Sequence, residues 1–170
     1  SVSDPPFLVK AIRDTTVLED FGKIFITYLP SNFSDIDSPH LIYSASGLTP
    51  ESVIPEISND SLYLRSAPDY FGEVLVEVVA DDSFSIALDT FKVTVINVND
   101  PPRSLHYITD LSINEDAGKL FVAKINLEFI DPDHDVLTYT AVSSNPATLT
   151  IFISNDSLYL QTVRDSTGLV

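Results

Sequence analysis

Carboxylates recur in this sequence at a fixed interval. Asp4 matches Asp100, Glu19-Asp20 matches Glu115-Asp116, and Asp35 and Asp37 match Asp131 and Asp133, each pair 96 positions apart. Acids gathered in this way support two chemistries. A pair can serve as general acid and general base on a glycosidic bond. Alternatively, several can hold a hard metal ion, because like charges at close range repel unless they are protonated or share cations. The acids here repeat with the chain and fall between strand-like runs, which favours the metal. Calcium suits such a set, taking about six to eight oxygen ligands at ~2.3–2.6 Å, whereas magnesium tolerates irregular cages poorly.

Other reactive groups lack a matching pattern. His40, His106 and His134 recur neither at matched positions nor at ligand spacing and read as solvated loop residues. Gly47 and Gly72 belong to turns, and no Gly-rich phosphate loop is present. Lys23 and Lys119 recur beside Glu19 and Glu115, but an isopeptide crosslink would need a buried lysine against an acid. With no Cys there is neither a disulfide framework nor a thiolate metal site. The expectation is a chain that is not an enzyme.

The elements that must position these acids are two copies of one unit. An offset of 96 aligns Asp4-Pro5-Pro6 with Asp100-Pro101-Pro102, Leu41 and Tyr43 with Leu137 and Tyr139, and 57–64 with 153–160. It yields 29 identities over 74 pairs without a gap, too many for chance. The expected domains are 1–98, a complete repeat, and 99–170, a second repeat lacking its last two strands. Val170 aligns with Val74, so counterparts of the strand-like stretch 75–96 are missing from the second copy.

Within the first copy, β-rich runs alternate with turn signals at sandwich spacing: 7–17, 23–29, 41–45, 52–58, 61–65, 73–80 and 88–97. Phe91, Val93 and Val95 alternate with Thr90, Lys92 and Thr94, the mark of one packed and one wet face. Eleven prolines scattered among the runs argue against helix. Asn59-Asp60 and Asn155-Asp156 read as tight hairpin turns rather than as glycan sites, although Asn32, Asn59 and Asn155 all stand in Asn-x-Ser sequons.

Seven antiparallel strands send alternate loops to opposite ends. Glu19, Asp69 and the exit through Asn97, Asn99 and Asp100 then fall at one end of the first repeat. Asp131, Asp133 and Asp135 fall at the facing end of the second, so a junction site is expected between the repeats. Asp4, Asp35, Asp37 and Asp82, with Asp81 alongside, fall at the far end of the first repeat as a half-site. Pro101-Pro102 holds the linker extended.

These residues carry a resemblance. Asp-Pro-Asp-His-Asp-Val-Leu-Thr-Tyr-Thr at 131–140, Ser-Leu-Tyr-Leu, Asp69-Tyr-Phe-Gly72 before a Val-rich strand, Asp81-Asp82 and the closing Val-Asn-Asp-Pro-Pro resemble the cadherin-like tandem repeats of large bacterial surface and secreted proteins. The resemblance implies an all-β fold of tandem seven-stranded antiparallel Greek-key β-sandwiches, cadherin- or immunoglobulin-like, the second copy incomplete. It implies calcium as cofactor, with Glu19 and Asp69 from the first domain, Asn97, Asn99 and Asp100 from the linker, and Asp131 and Asp133 from the second. Pro39 stands where the second copy has Asp135, so the first copy's loop has one acid fewer, and Asp82 stands where such repeats often have Gly.

The function expected is a non-catalytic extracellular structural or adhesion module in which calcium rigidifies the junction between consecutive repeats. The alternative is an accessory carbohydrate-binding module of a secreted polysaccharide-acting protein. For that reading Tyr28, Tyr70 and Tyr107 are the platform candidates, since Tyr43/Tyr139 and Tyr63/Tyr159 recur and read as core or half-buried strand residues. There is no Trp, so Trp-anchored strand exchange is not available. Net charge −16 repels phosphates and excludes a nucleic-acid partner. No apolar run reaches the roughly 18 residues of a spanning helix, so membrane insertion is not expected. The absence of Met leads to the expectation that Ser1 is a processed terminus of something longer. Partners expected are neighbouring repeats, polysaccharide under the alternative reading, and another chain filling the gap in the second copy.

Overall fold

Strand alternation decides the layers. In this computed structural model, which describes residues 4–49 and 52–168, contacts divide the chain at Val98–Asn99 into two compact units. Ser1 and Val170, named above as chain positions, lie outside the described residues.

Unit 1 contains β1 (Phe7–Leu8), β2 (Thr15–Leu18), β3 (Ile24–Tyr28), β4 (Phe33–Ser34), β5 (Ile42–Gly47), β6 (Val53–Ser58), β7 (Ser61–Ser66), β8 (Gly72–Asp81) and β9 (Ile86–Ile96). Two principal sheets form, ordered β2-β9-β8-β5 and β3-β7-β6, with β1 and β4 paired separately. This order is that of an immunoglobulin-like sandwich. Every second residue points into the core: Val74, Val76, Val78 and Ala80 from β8, Phe91, Val93 and Val95 from β9, and Leu62 and Leu64 from β7 are buried. Leu29 and Phe33, on and after a single 3-10 turn at Leu29–Ser31, complete it.

The stretch 7–17, expected as one strand, is divided. β1 pairs antiparallel with β4, whereas β2 pairs parallel with β9, so the sandwich is not antiparallel throughout. The reason lies in the residues between. The Val9 and Lys10 amides donate to the Asn32 carbonyl, the Asn32 Nδ2 donates back to the Lys10 carbonyl at 2.9 Å, and the Ile12 amide donates to Asp89 Oδ2 at 2.7 Å. These bonds satisfy the backbone while the chain leaves one ladder for another. They also keep Asn32 buried, its amide spent on Lys10.

Unit 2 contains β10 (Arg103–Ser104), β11 (Lys119–Lys124), β12 (Phe129–Ile130), β13 (Leu149–Ser154) and β14 (Ser157–Thr162). Its sheet β11-β14-β13 repeats β3-β7-β6, including a register shift between Phe121 and Ala123 that matches the one between Phe25 and Thr27. Asn59 and Asp60, like Asn155 and Asp156, have positive φ of 48° to 56°, as a two-residue hairpin turn requires. The counterparts of β2 and β5, residues 111–114 and 138–143, are not strands. In unit 1 those strands hydrogen-bond to β9 and β8, which have no counterpart among the described residues of unit 2. Without a ladder partner, an extended segment does not register as sheet. Among the described residues no helix is long and apolar enough to cross a membrane.

Candidate metal-binding acids

At the exit end of unit 1, the turn after β2 lies against the last residues of β9. The Glu19 amide donates to the Ile96 carbonyl at 2.9 Å, and Glu19 Oε1 accepts the Val98 amide at 2.5 Å. Glu19 is buried, and its Oε2 has no hydrogen-bond partner. Next to it in sequence, Asp20 adopts φ 54° and its Oδ1 accepts the amide of Asp69, itself at φ 55°, at 3.1 Å. Aspartate is among the few residues that enter this left-handed region readily, which is why it occupies both corners. Asn97, just past the end of β9, is exposed.

The entry end of unit 2 is wired around Asp131. Its Oδ1 accepts the amides of Asp133 at 3.0 Å and Asp135 at 3.4 Å, and its backbone carbonyl accepts the His134 amide. This local side-chain bonding is what Asp does at the start of a turn. Asp133 Oδ2 in turn accepts the Asp100 amide at 2.6 Å, and Asn99 Nδ2 donates to the Asp100 carbonyl. Asp131 is buried, Asp135 is exposed, and Asp133 Oδ1 is buried without a partner.

The entry end of unit 1 repeats that wiring. Asp35 Oδ1 accepts the amides of Asp37 and Ser38 at 2.9 and 2.7 Å, and Asp37 Oδ2 accepts the Asp4 amide at 3.3 Å. Asp35 Oδ2 is buried without a partner. Asp82 behaves differently. Its Oδ1 accepts the Phe84 and Ser85 amides at 2.7 and 2.6 Å, and its Oδ2 accepts the Ser85 hydroxyl, all inside the β8–β9 turn. The Ser85 amide foremost, then the Phe84 amide and Ser85 hydroxyl, hold the Asp82 carboxyl below the usual carboxylate range against the opposing effect of burial. The structure thus ties Asp4, Asp35 and Asp37 together and spends Asp82 on its own hairpin.

A carboxylate oxygen removed from water without a donor is costly. Glu19, Asp35 and Asp133 each carry one. The remaining donors nearby are carboxylates, Asn amides and backbone carbonyls, an all-oxygen set that fits a hard cation such as calcium. Sequence reasoning passed over Asp20 as a site residue, although its recurrence as Asp116 was the available signal; Asp116 Oδ1 accepts the Asp165 amide at 3.2 Å, as Asp20 does that of Asp69.

The other candidates are placed as follows. Lys23 is exposed, its Nζ bonded to Glu56 Oε1 at 2.5 Å and 4.4 Å from the Tyr63 ring centroid, so it is not the buried lysine an isopeptide would need. That bond holds the Glu56 carboxyl below its usual range. Lys119 Nζ lies over the Tyr159 ring at 3.8 Å. Tyr70 packs against the core, while Tyr28 and Tyr107 are exposed, Tyr107 at 93%.

No protein-family model matches the sequence, and no curated protein matches it. Among solved structures, the endo-fucoidan hydrolase MfFcnA4 from glycoside hydrolase family 107 aligns over 94% of this chain and 24% of its own, with 20% identity and a TM-score of 0.46. A chimeric titin Z1Z2 carrying a decorin peptide aligns over 98% of this chain and 85% of its own, with 13% identity and a TM-score of 0.38. The titin I-band fragment I67-I69 aligns over 97% of this chain and 57% of its own at 12% identity and a TM-score of 0.38. The chain therefore spans about a quarter of the hydrolase. The all-β, immunoglobulin-like assignment rests on the strand order above.

Proposed function

We propose that this chain is a non-catalytic, extracellular structural or adhesive module whose repeat ends bind calcium, and that the bound ion stiffens the succession of repeats. The observation that carries this is the set of buried carboxylate oxygens without a donor on Glu19, Asp35 and Asp133. Each belongs to an acid whose other oxygen is already used to hold the local backbone, Glu19 on Val98, Asp35 on Asp37, and Asp133 on Asp100. One oxygen shapes the loop and the second is left for a cation. Calcium supplies charge neutralisation and links donors that would otherwise repel. At the exit end of unit 1 Asp69 and Asn97 are the further oxygen donors of the proposed set; at the entry end of unit 2 Asp131 orients Asp133, Asn99 and Asp100 are the further donors, and Asp135 lies at the rim. Asp4 and Asp37 join Asp35 at the entry end of unit 1.

Thermal unfolding with calcium and with chelator tests this directly. A higher midpoint in calcium, together with a narrower distribution of end-to-end distances in small-angle scattering, is expected, and Asp133→Asn should remove most of the response. Identical curves in the two conditions would refute the assignment. A second reading, a polysaccharide-binding accessory module, draws on the exposed rings of Tyr107 and Tyr28, which offer apolar faces to a sugar. Retention on an insoluble polysaccharide that is lost in Tyr107→Ala but kept in Asp133→Asn would favour it.

A further inference from the structure

Leu158 is buried in unit 2, so strand alternation turns Tyr159 and Gln161 to the outer face of the β11-β14-β13 sheet. Register then sets two rows of three side chains across that face: Phe121, Tyr159 and Phe152 in one, Lys119, Gln161 and Thr150 in the next. Phe152 stacks on Tyr159 with centroids 5.5 Å and planes 16° apart, and Phe121 meets Tyr159 edge-on at 5.9 Å. Lys119 Nζ lies 3.8 Å from the Tyr159 centroid and 4.9 Å from that of Phe152. None of the six is an acid, in a chain that holds 25.

Unit 1 supplies the comparison. Its matching face is also exposed, Phe25 at 58%, and it keeps Lys23 and an edge-on Phe25–Tyr63 pair at 5.7 Å. Where unit 2 has Phe152, however, it has Glu56, which pairs with Lys23 and Arg65. The unit 1 face is thus closed by its own charges, whereas Lys119 makes no ion pair among the described residues and rests on rings.

We infer that the outer face of β11-β14-β13 is a binding face for a neutral polysaccharide. This rests on the polysaccharide-binding reading above and gives it a site away from Tyr28 and Tyr107. The ring row offers apolar surface to the C–H face of a sugar, and the Lys119 ammonium, Gln161 amide and Thr150 hydroxyl offer hydrogen bonds to its hydroxyls. Three strands make the face about 10 Å wide, and six residues are far fewer than the roughly 20–30 a side of a stable protein interface. Net charge −16 repels a polyanion, which leaves an uncharged glycan.

Affinity electrophoresis of the full 1–170 chain, in chelator, through hydroxyethylcellulose, xylan, galactomannan or polygalacturonate tests this. Retardation by at least one of the three neutral polymers is expected. Phe152→Glu, which installs the unit 1 residue, should weaken it at least tenfold, and Lys119→Met at least threefold, with the melting curve of Lys119→Met unchanged. Retardation lost in Tyr107→Ala but kept in Lys119→Met and Phe152→Glu would overturn this face while leaving the polysaccharide reading intact. No retardation by any polymer would overturn both. Stronger retardation by polygalacturonate, or a dimer in light scattering that Phe152→Glu dissolves, would overturn the assignment to a neutral glycan.

Discussion

The carboxylate of Glu19 accepts the backbone amide of Val98, so the turn after β2 grips the end of β9, 79 positions later. The bond consumes one oxygen and leaves the other buried and without a donor. A residue arranged this way contributes stability with one hand and costs it with the other, and the balance depends on what meets the second oxygen.

Glu19→Gln should therefore change sign with calcium. The amide keeps an oxygen for Val98 and replaces a buried charge with a neutral group that is cheaper to bury. In chelator the variant is expected to be at least as stable as the parent. In calcium the parent gains about 2.7 kcal/mol at a hundredfold excess over its dissociation constant, and the variant gains less. Denaturant titrations of both proteins in both buffers check this; an unchanged order in the two buffers contradicts it.

Acid should uncouple the β8–β9 turn through Asp82. Its folded carboxyl titrates below the ordinary value, so it stabilises the native state fully above the unfolded carboxylate's pKa, and that stability fades as pH falls from there through the lower folded value. Asp82→Asn is expected to be less stable than the parent at neutral pH, with the gap closing below about pH 4. Paired melts in chelator from pH 7 to pH 2.5 follow the gap without a metal contribution.

The Asn59-Asp60 turn offers a backbone test. Both residues hold positive φ, and the Asp60 carbonyl accepts the Leu29 amide, a bond that does not involve the Asp60 side chain. Asp60→Gly should leave stability equal or raise it by up to about 1 kcal/mol, because glycine enters this region without steric cost. Asp60→Val should lower it, since a β-branched residue is strained there. Urea midpoints separate the two.

Matched leucines should respond unequally. Leu64 is fully buried, whereas Leu160, its counterpart, is only half-buried in unit 2. Leu64→Ala is expected to cost about 2–5 kcal/mol, and Leu160→Ala less, because part of its surface already meets solvent. Comparable losses at the two positions would contradict this.

The legible part of the fold is what alternation and repetition encode. Phe91, Val93 and Val95 announce their buried face, and Asn59-Asp60 and Asn155-Asp156 announce their turns, because those preferences are local. The division of 7–17 was not legible. It depends on Asn32 and Asp89, which are distant in sequence and bond backbone groups of Lys10 and Ile12 that no pattern of side chains reports. The acids were legible by their recurrence, but their division of labour was not. Nothing in the letters distinguishes Asp82, which caps a turn, from Asp35, which holds a turn with one oxygen and keeps the other in reserve.

The parallel pairing of β2 with β9 fixes how unit 1 would bear tension. β2 lies near the chain's entry and β9 at its exit, and Thr15 to Leu18 face Val93 to Ile96 in register. Because the two strands point the same way, a pull on the two ends slides one along the other, and every bond of that ladder is strained together. An antiparallel partner in the same place would open like a zipper, one bond at a time, and yield at a lower force. The short ladder produced by splitting 7–17 is thus placed where it acts as a shear lock against stretching.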